Sequence, residues 1–224
     1  MTFSRKTNVN ISIFINENLI EKVSEFTYLG LIIDEKLTFK NHILNIVKKV
    51  NQANRCVYSL KKYLPLYILK RVYFSMVHSH LVQHLISWGG ANTTNLYPLR
   101  VAINKVIRNL FPSNLSTNDR YKILGIPNLS QLYNLKLAET MYKIIILRNS
   151  PLLTDIINEI QWAHNYNTRR MTEFRLPMIY TQTNKIFFLS NAIKLWSRLP
   201  NHLKLSSTIS CFKRNCKSHL LESL

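Results

Sequence analysis

The 224-residue chain carries 30 Lys+Arg against 11 Asp+Glu, a formal net charge of +19, with 46% hydrophobic and 11% aromatic residues. That length and apolar content support a folded core and exclude a disordered tail. No run approaches the roughly 18 apolar residues of a membrane span, and the three cysteines, Cys56, Cys211 and Cys216, give no disulfide framework.

Residues 9–15 ("VNISIFI") alternate polar and apolar, as a half-buried strand does. The turn chemistry of "NEN" (16–18) and the apolar runs at 19–23 and 26–33 predict returning strands, hence an N-terminal β-hairpin or small meander over the first 34 residues. Gly30, inside the run "FTYLGLIID", predicts a bulge or a close backbone approach. The period then changes. Phe39, Ile43, Ile46, Val47, Val50, Ala53, Val57, Leu60 and Leu64 fall at helical spacing, an amphipathic helix of about 25 residues with Thr38 as its cap. Pro65 ends it and opens a second helix over 66–88, with Leu69, Val72, Tyr73, Met76 and Val77 as the core face. "GGANTTN" (89–95) is a loop, and a third helix follows Pro98. Three helices with short connections predict a small bundle.

Residues 111–119 read as a linker. A short helix is expected near 119–124 and a long one over 130–149, capped by Ser130. Another short helix follows Pro151 to about Ile160, a strand is possible at 173–179, and a terminal helix starts from Ser207 with Ile209, Phe212, Cys216 and Leu220 apolar. The fold class is therefore mainly α (α+β), in three parts: a hairpin over 1–35, a basic helical bundle over 36–112, and a mostly helical region over 119–224.

Charge distribution says more than net charge. Residues 1–35 hold three bases and five acids, residues 36–118 twelve bases and no acid, and residues 119–224 fifteen bases and six acids. An acid-free stretch with the apolar content to fold is a surface built to meet a polyanion. At ~100° per residue, Lys48, Arg55 and Lys62 lie within about 40° of one another, opposite the apolar stripe of the first helix. The candidate nucleic-acid contacts are Lys40, Lys48, Lys49, Arg55 and Lys62, extended by Arg100, Lys105 and Arg108 on the third helix.

No catalytic set emerges. Adjacent residues of a strand point to opposite faces, so Asp34 and Glu35 do not converge on a metal, and they read as the end of a hairpin. His80 and His84 stand four apart but lack a third ligand and a base, and with His78 they read as core or interface residues. Cys211, Cys216 and His219 lack a fourth ligand, and Cys216 fits an apolar stripe. Four glycines, with no P-loop, G-x-G-x-x-G or H-E-x-x-H, leave no phosphate-cradling loop and no self-sufficient active site. No metal and no cofactor are assigned to this chain.

Seven stretches, in order, resemble one family. "FTYLGLIIDEKLTFKNHI" resembles the segment that follows the catalytic palm in reverse transcriptases of non-LTR (LINE-type, jockey-like) retrotransposons. "MVHSHLVQHLISWGGA" resembles a helix of that family ending in Trp-Gly, and "LRVAINKVIRNLF" the basic helix after it. "LGIPNLSQLYNLKLAETMYKI", "HNYNTRRMTEFRLP", "NAIKLWSRLPNHLK" and "SCFKRNCKSHL" resemble its C-terminal region.

The resemblance implies that Tyr28, Leu29 and Gly30 belong to a primer-grip hairpin at the palm–thumb junction. It also implies that the helices from Thr38 to Leu110 form the thumb, which holds RNA, DNA or their hybrid without reading bases. The intact polymerase works with two Mg²⁺ ions on aspartates upstream of the matched region. This chain has no Asp-Asp pair, so the resemblance implies a C-terminal piece of a polymerase, inactive alone, with the palm and fingers as a possible partner. Two departures stand out: Gln83-His84 occupies the place of the family's Tyr-Gly, and the complete C-terminal Cys/His cluster of some members is not present. The cysteine usage and the absence of an apolar leader in "MTFSRKTNVN" point to a reducing interior, nucleus or cytoplasm. The alternative is a basic helical adaptor that docks on a protein partner or an anionic membrane surface, although Asn51, Gln52 and Ser59 around the ridge disfavour insertion.

Overall fold

The structure is a computed structural model that describes residues 12–19, 21–151, 153–155 and 188–222. It is mainly α-helical, with short strands near the N-terminus. The chain forms two compact units, residues 1–80 with 91–106, and residues 81–90 with 107–224.

In the first unit, two tight turns set the β structure. Strand β1 (Phe14–Ile15) pairs antiparallel with β2 (Asn18–Leu19), and β3 (Glu25–Tyr28) with β4 (Leu31–Asp34). Tyr28 faces Leu31 in the register, which leaves Leu29 and Gly30 as a two-residue turn with φ of 47° and 84°. Two positive φ values are what a type I′ turn needs, because its twist matches that of the flanking strands. Gly30 is therefore a turn residue and not a bulge, and the run 26–33 is a hairpin and not one strand.

Helix α1 (Lys40–Leu60) buries Ile43, Ile46, Val50, Ala53 and Val57, as its period dictates. Its start differs from expectation. The N-cap is Phe39 in the left-handed region, φ 55°, with no cap of its own. The carboxylate of Asp34 replaces it: Oδ2 accepts from Thr38 N and Thr38 Oγ1, both at 2.9 Å, and Oδ1 from Phe39 N at 2.7 Å. An ionised acceptor at a helix N-terminus meets both the orphan amides and the dipole. His42 Nδ1 accepts from Ile32 N at 3.3 Å, and Asn41 Nδ2 donates to Glu25 Oε1, so the hairpin is fastened to the first turn of α1.

The expected helix over 66–88 is interrupted. It is built as α2 (Leu66–Tyr73), a π-turn (Phe74–His78), α3 (Ser79–Val82) and α4 (Leu85–Trp88). The residues that bury their side chains are Leu69, Tyr73, Val77, Leu81 and Leu85, one every four positions. In an unbroken α-helix that spacing drifts by about 40° per step. The wider π-turn takes up part of the drift, and Met76 consequently turns out to 38% exposure instead of facing the core. The remainder is absorbed at His84, which sits at φ 53°. Helix α5 (Thr93–Leu110) starts before Pro98 and contains it, so the expected loop over 89–95 is shorter.

In the second unit, α6 (Thr117–Leu124) starts at Ser116, whose Oγ accepts from Asp119 N at 3.2 Å, and ends at Gly125, φ 60°. Helix α7 (Leu129–Ile145) is capped by Asn128 and not Ser130, because Gln131 at the third helical position closes a capping box with Asn128. Helices α8 (Phe188–Arg198) and α10 (Ile209–Glu222) pack on α7, with the short α9 (Asn201–Lys204) between them in sequence. Tyr142 of α7 stacks on Phe212 of α10 at 4.5 Å, and its hydroxyl donates to Ser206 O at 2.6 Å. Cys216 is fully buried in this layer, and burial pushes its thiol up to about 11. The helix expected from Pro151 lies mostly, and the strand expected at 173–179 wholly, outside the described residues.

Candidate nucleic-acid interface

A helix that buries one stripe presents the opposite one to solvent, and on α1 that opposite stripe is cationic. Lys40, Lys48, Lys49 and Arg55 of α1 and Lys62 just beyond it are exposed, while the positions between them that turn inward are Val50, Ala53 and Val57. The side chains of Lys48, Arg55 and Lys62 repeat every seven residues, about two turns of ~5.4 Å. One strand of a duplex carries a phosphate every ~3.4 Å of its axis, so cations about 11 Å apart meet about every third phosphate, an extended backbone and not a point charge.

Arg100, Lys105 and Arg108 are also exposed on α5. Arg100 and Lys105 project about 140° apart at ~100° per residue, so they do not form a single row, and Arg108 belongs to the second compact unit. Tyr28, Leu29 and Gly30 form the tip of the β3–β4 hairpin. Tyr28 and Leu29 expose 58% and 72% of their surface, and Phe26 on the same strand is exposed as well.

His78, His80 and His84 are half-buried. His78 stacks edge-on against Phe74 at 5.0 Å in the π-turn. Burial, and then the positive charge of Lys49, hold the His80 imidazole below its ordinary pKa. Helix α3 ends at Val82 and His84 is left-handed, so the helical i, i+4 arrangement of His80 and His84 does not form. Trp88 is fully buried, with its indole N–H donating to Gln83 O at 2.9 Å. A Cβ on Gly89 would stand 2.5 Å from Leu85 O and 2.5 Å from the Tyr133 ring, so Trp88-Gly89 marks where α4 meets α7 closely.

Among the described residues no three His, Cys, Asp or Glu side chains converge as a metal site. Both carboxylate oxygens of Asp34 are committed to the start of α1. The described residues therefore do not fit the pair of Mg²⁺ ions that phosphoryl transfer uses. Among these residues no helix is long and apolar enough to cross a membrane.

Two features of this surface escaped the sequence reading. Tyr58, Tyr63 and Tyr67 stand outside the apolar stripe and are exposed, and the Lys61 ammonium lies 4.2 Å from the centre of the Tyr58 ring. Their signal was available, since aromatics off the core face of an amphipathic helix need another reason to be there. In the second unit, Lys136, Lys143 and Lys213 converge on Glu139 at 3.1, 3.0 and 2.9 Å, a cluster assembled from two helices far apart in sequence.

No family model matches the chain, and no solved structure matches it. Over 135 residues the chain is 29% identical to the RNA-directed DNA polymerase from mobile element jockey of Drosophila melanogaster, covering 58% of this chain. It spans 15% of the length of that relative. The chain thus contains a region related to a retrotransposon RNA-directed DNA polymerase.

Proposed function

We propose that this chain is the thumb and C-terminal region of a non-LTR retrotransposon RNA-directed DNA polymerase and holds a primer–template duplex by its phosphates. The observation that carries the reading is the exposed pair Lys48 and Arg55 on α1 with Lys62 just beyond its end, in an 83-residue stretch, 36–118, without an acidic residue. Phosphate contacts fix position without reading bases, which is what an enzyme that translocates along any sequence needs. The partner is RNA, DNA or their hybrid, and the β3–β4 hairpin tip, Tyr28, Leu29 and Gly30, stands beside the primer end. On this reading the metal-binding carboxylates for primer extension come from the palm; among the described residues no three His, Cys, Asp or Glu side chains gather as a metal site. The metal-holding palm is the natural protein partner of the exposed hairpin.

The test is binding of the purified chain to a labelled RNA–DNA hybrid at 50, 100 and 200 mM salt. Six phosphate contacts predict a fall of about a thousandfold between 50 and 200 mM. Replacing Lys48, Arg55 and Lys62 together by Ala halves that count and should leave a fall of about fortyfold. No binding at 50 mM by folded protein, or an unchanged salt slope in the triple variant, overturns the proposal.

A further inference from the structure

Between Arg55 and Arg71 the chain leaves α1, turns through residues 61–64 and enters α2 at Leu66. In this corner three tyrosines are exposed: Tyr58 by 55%, Tyr63 by 82% and Tyr67 by 63%. Tyr73, on the inner side of α2, is 1% exposed, so the corner does have a core that takes tyrosine. Residues 55–71 also hold five cations, Arg55, Lys61, Lys62, Lys70 and Arg71, and no acid.

A single exposed aromatic is ordinary, but three within ten residues, in a stretch with five cations and no acid, have a particular chemistry. Duplex phosphates do not call for it. In a duplex the base faces are hidden in the stack, and cations alone complete the contact. In a single strand every base has an open π-face, and aromatic rings stack on it while cations hold the neighbouring phosphates. Lys61 already occupies one face of Tyr58, which leaves Tyr63 on the turn and Tyr67 in the first turn of α2 as the platforms. An anionic bilayer is the other surface that tyrosine and lysine suit, but insertion needs large apolar anchors. In the corner the exposed aliphatic side chain is Leu66, at 38%.

We propose that the α1–α2 corner is a single-strand platform: Tyr63 and Tyr67 stack on unpaired bases, and Lys70 and Arg71 hold the flanking phosphates. The inference rests on the nucleic-acid reading of the adjoining ridge and adds a second kind of ligand to it. Unpaired template or displaced strand would lie on the corner while paired nucleic acid lies on the ridge.

The experiment measures the affinity of the full chain for a 12-nucleotide single strand and for a blunt duplex of ~12 base pairs, at one salt concentration. The variants are Tyr63→Ala with Tyr67→Ala, and the ring-preserving Tyr63→Phe with Tyr67→Phe. Both positions are exposed, so both variants are expected to keep the wild-type circular dichroism. The Ala pair is expected to weaken the single strand about thirtyfold and the duplex less than about twofold, while the Phe pair keeps both affinities. Equal losses on both oligonucleotides, or none, overturn the platform and leave the ridge. A loss confined to binding of phosphatidylcholine–phosphatidylserine vesicles overturns it in favour of a membrane surface. A wild-type chain that binds neither oligonucleotide refutes the nucleic-acid reading itself.

Discussion

Glu139 on α7 is held at 6% exposure by three lysines, two from its own helix and Lys213 from α10. Burial alone would raise its pKa, but the three ammonium groups outweigh burial and pull it down from 4.5 to about 2. The folded state therefore favours the carboxylate. That contribution is complete above pH 4.5 and disappears as pH falls from 4.5 towards 2. At 1.36 kcal/mol per unit the shift corresponds to about 3 kcal/mol. The lysines keep 29%, 42% and 43% of their side-chain surface in solvent, so screening brings the net value nearer about 2 kcal/mol. Glu139→Gln preserves shape and removes the charge. It should lower the unfolding free energy by about 2–3 kcal/mol at pH 7, since three crowded cations also lose their counter-charge. The assay is urea unfolding followed by circular dichroism at several pH values, comparing the two proteins at each. The gap should narrow through pH 4 and nearly close by pH 2, where the wild-type carboxyl is about half protonated. A gap that stays constant from pH 7 to pH 2 refutes the electrostatic account and leaves only packing.

Two further substitutions test the backbone reading. His84 sits at φ 53°, a region that costs a non-glycine residue about 1–2 kcal/mol; His84→Gly should raise stability by about 0.5–1 kcal/mol in urea unfolding, and a loss would mean that the imidazole's contacts outweigh the strain. Gly89→Ala adds a Cβ 2.5 Å from Leu85 O and from the Tyr133 ring; it should cost about 1–3 kcal/mol and broaden the Tyr133 signals in an NMR spectrum, whereas a neutral result would show that the α4–α7 contact relaxes freely.

How much of this was legible in the sequence depended on the range of the physics involved. The apolar stripe of α1 and the cationic row opposite it follow from a local period, and residues Ile43 to Val57 fell where that period put them. The break in 66–88 was written there as well, because Leu69, Tyr73, Val77, Leu81 and Leu85 recur every four residues. A period of four was read as 3.6, and the π-turn was missed. His84 at φ 53° marks a position that glycine fills without strain, and no periodicity reports it. Caps were misplaced by a few residues, since Asn128 with Gln131 makes a reciprocal pair that Ser130 alone does not. The Glu139 cluster was out of reach. It needs Lys213, 74 positions away, and no periodicity reports which helix will pack on which. The exposed tyrosines are the opposite case: Tyr58 lies off the apolar stripe of α1, a position the local period alone reports.

The Asp34 clamp has a mechanical consequence. Three hydrogen bonds to an ionised carboxylate bridge residues 34 and 39, so the hairpin cannot pivot about that joint without giving up charge-assisted bonds of about 1.5–3 kcal/mol each. Hairpin and α1 then behave as one lever, with its arm ending at Leu29 and its long beam carrying Lys48 and Arg55. On the proposed reading, a duplex seated along the beam would meet the tip at a fixed offset, like a workpiece against the stop of a ruler. Force applied at Tyr28 is delivered to the helix and not dissipated in a hinge.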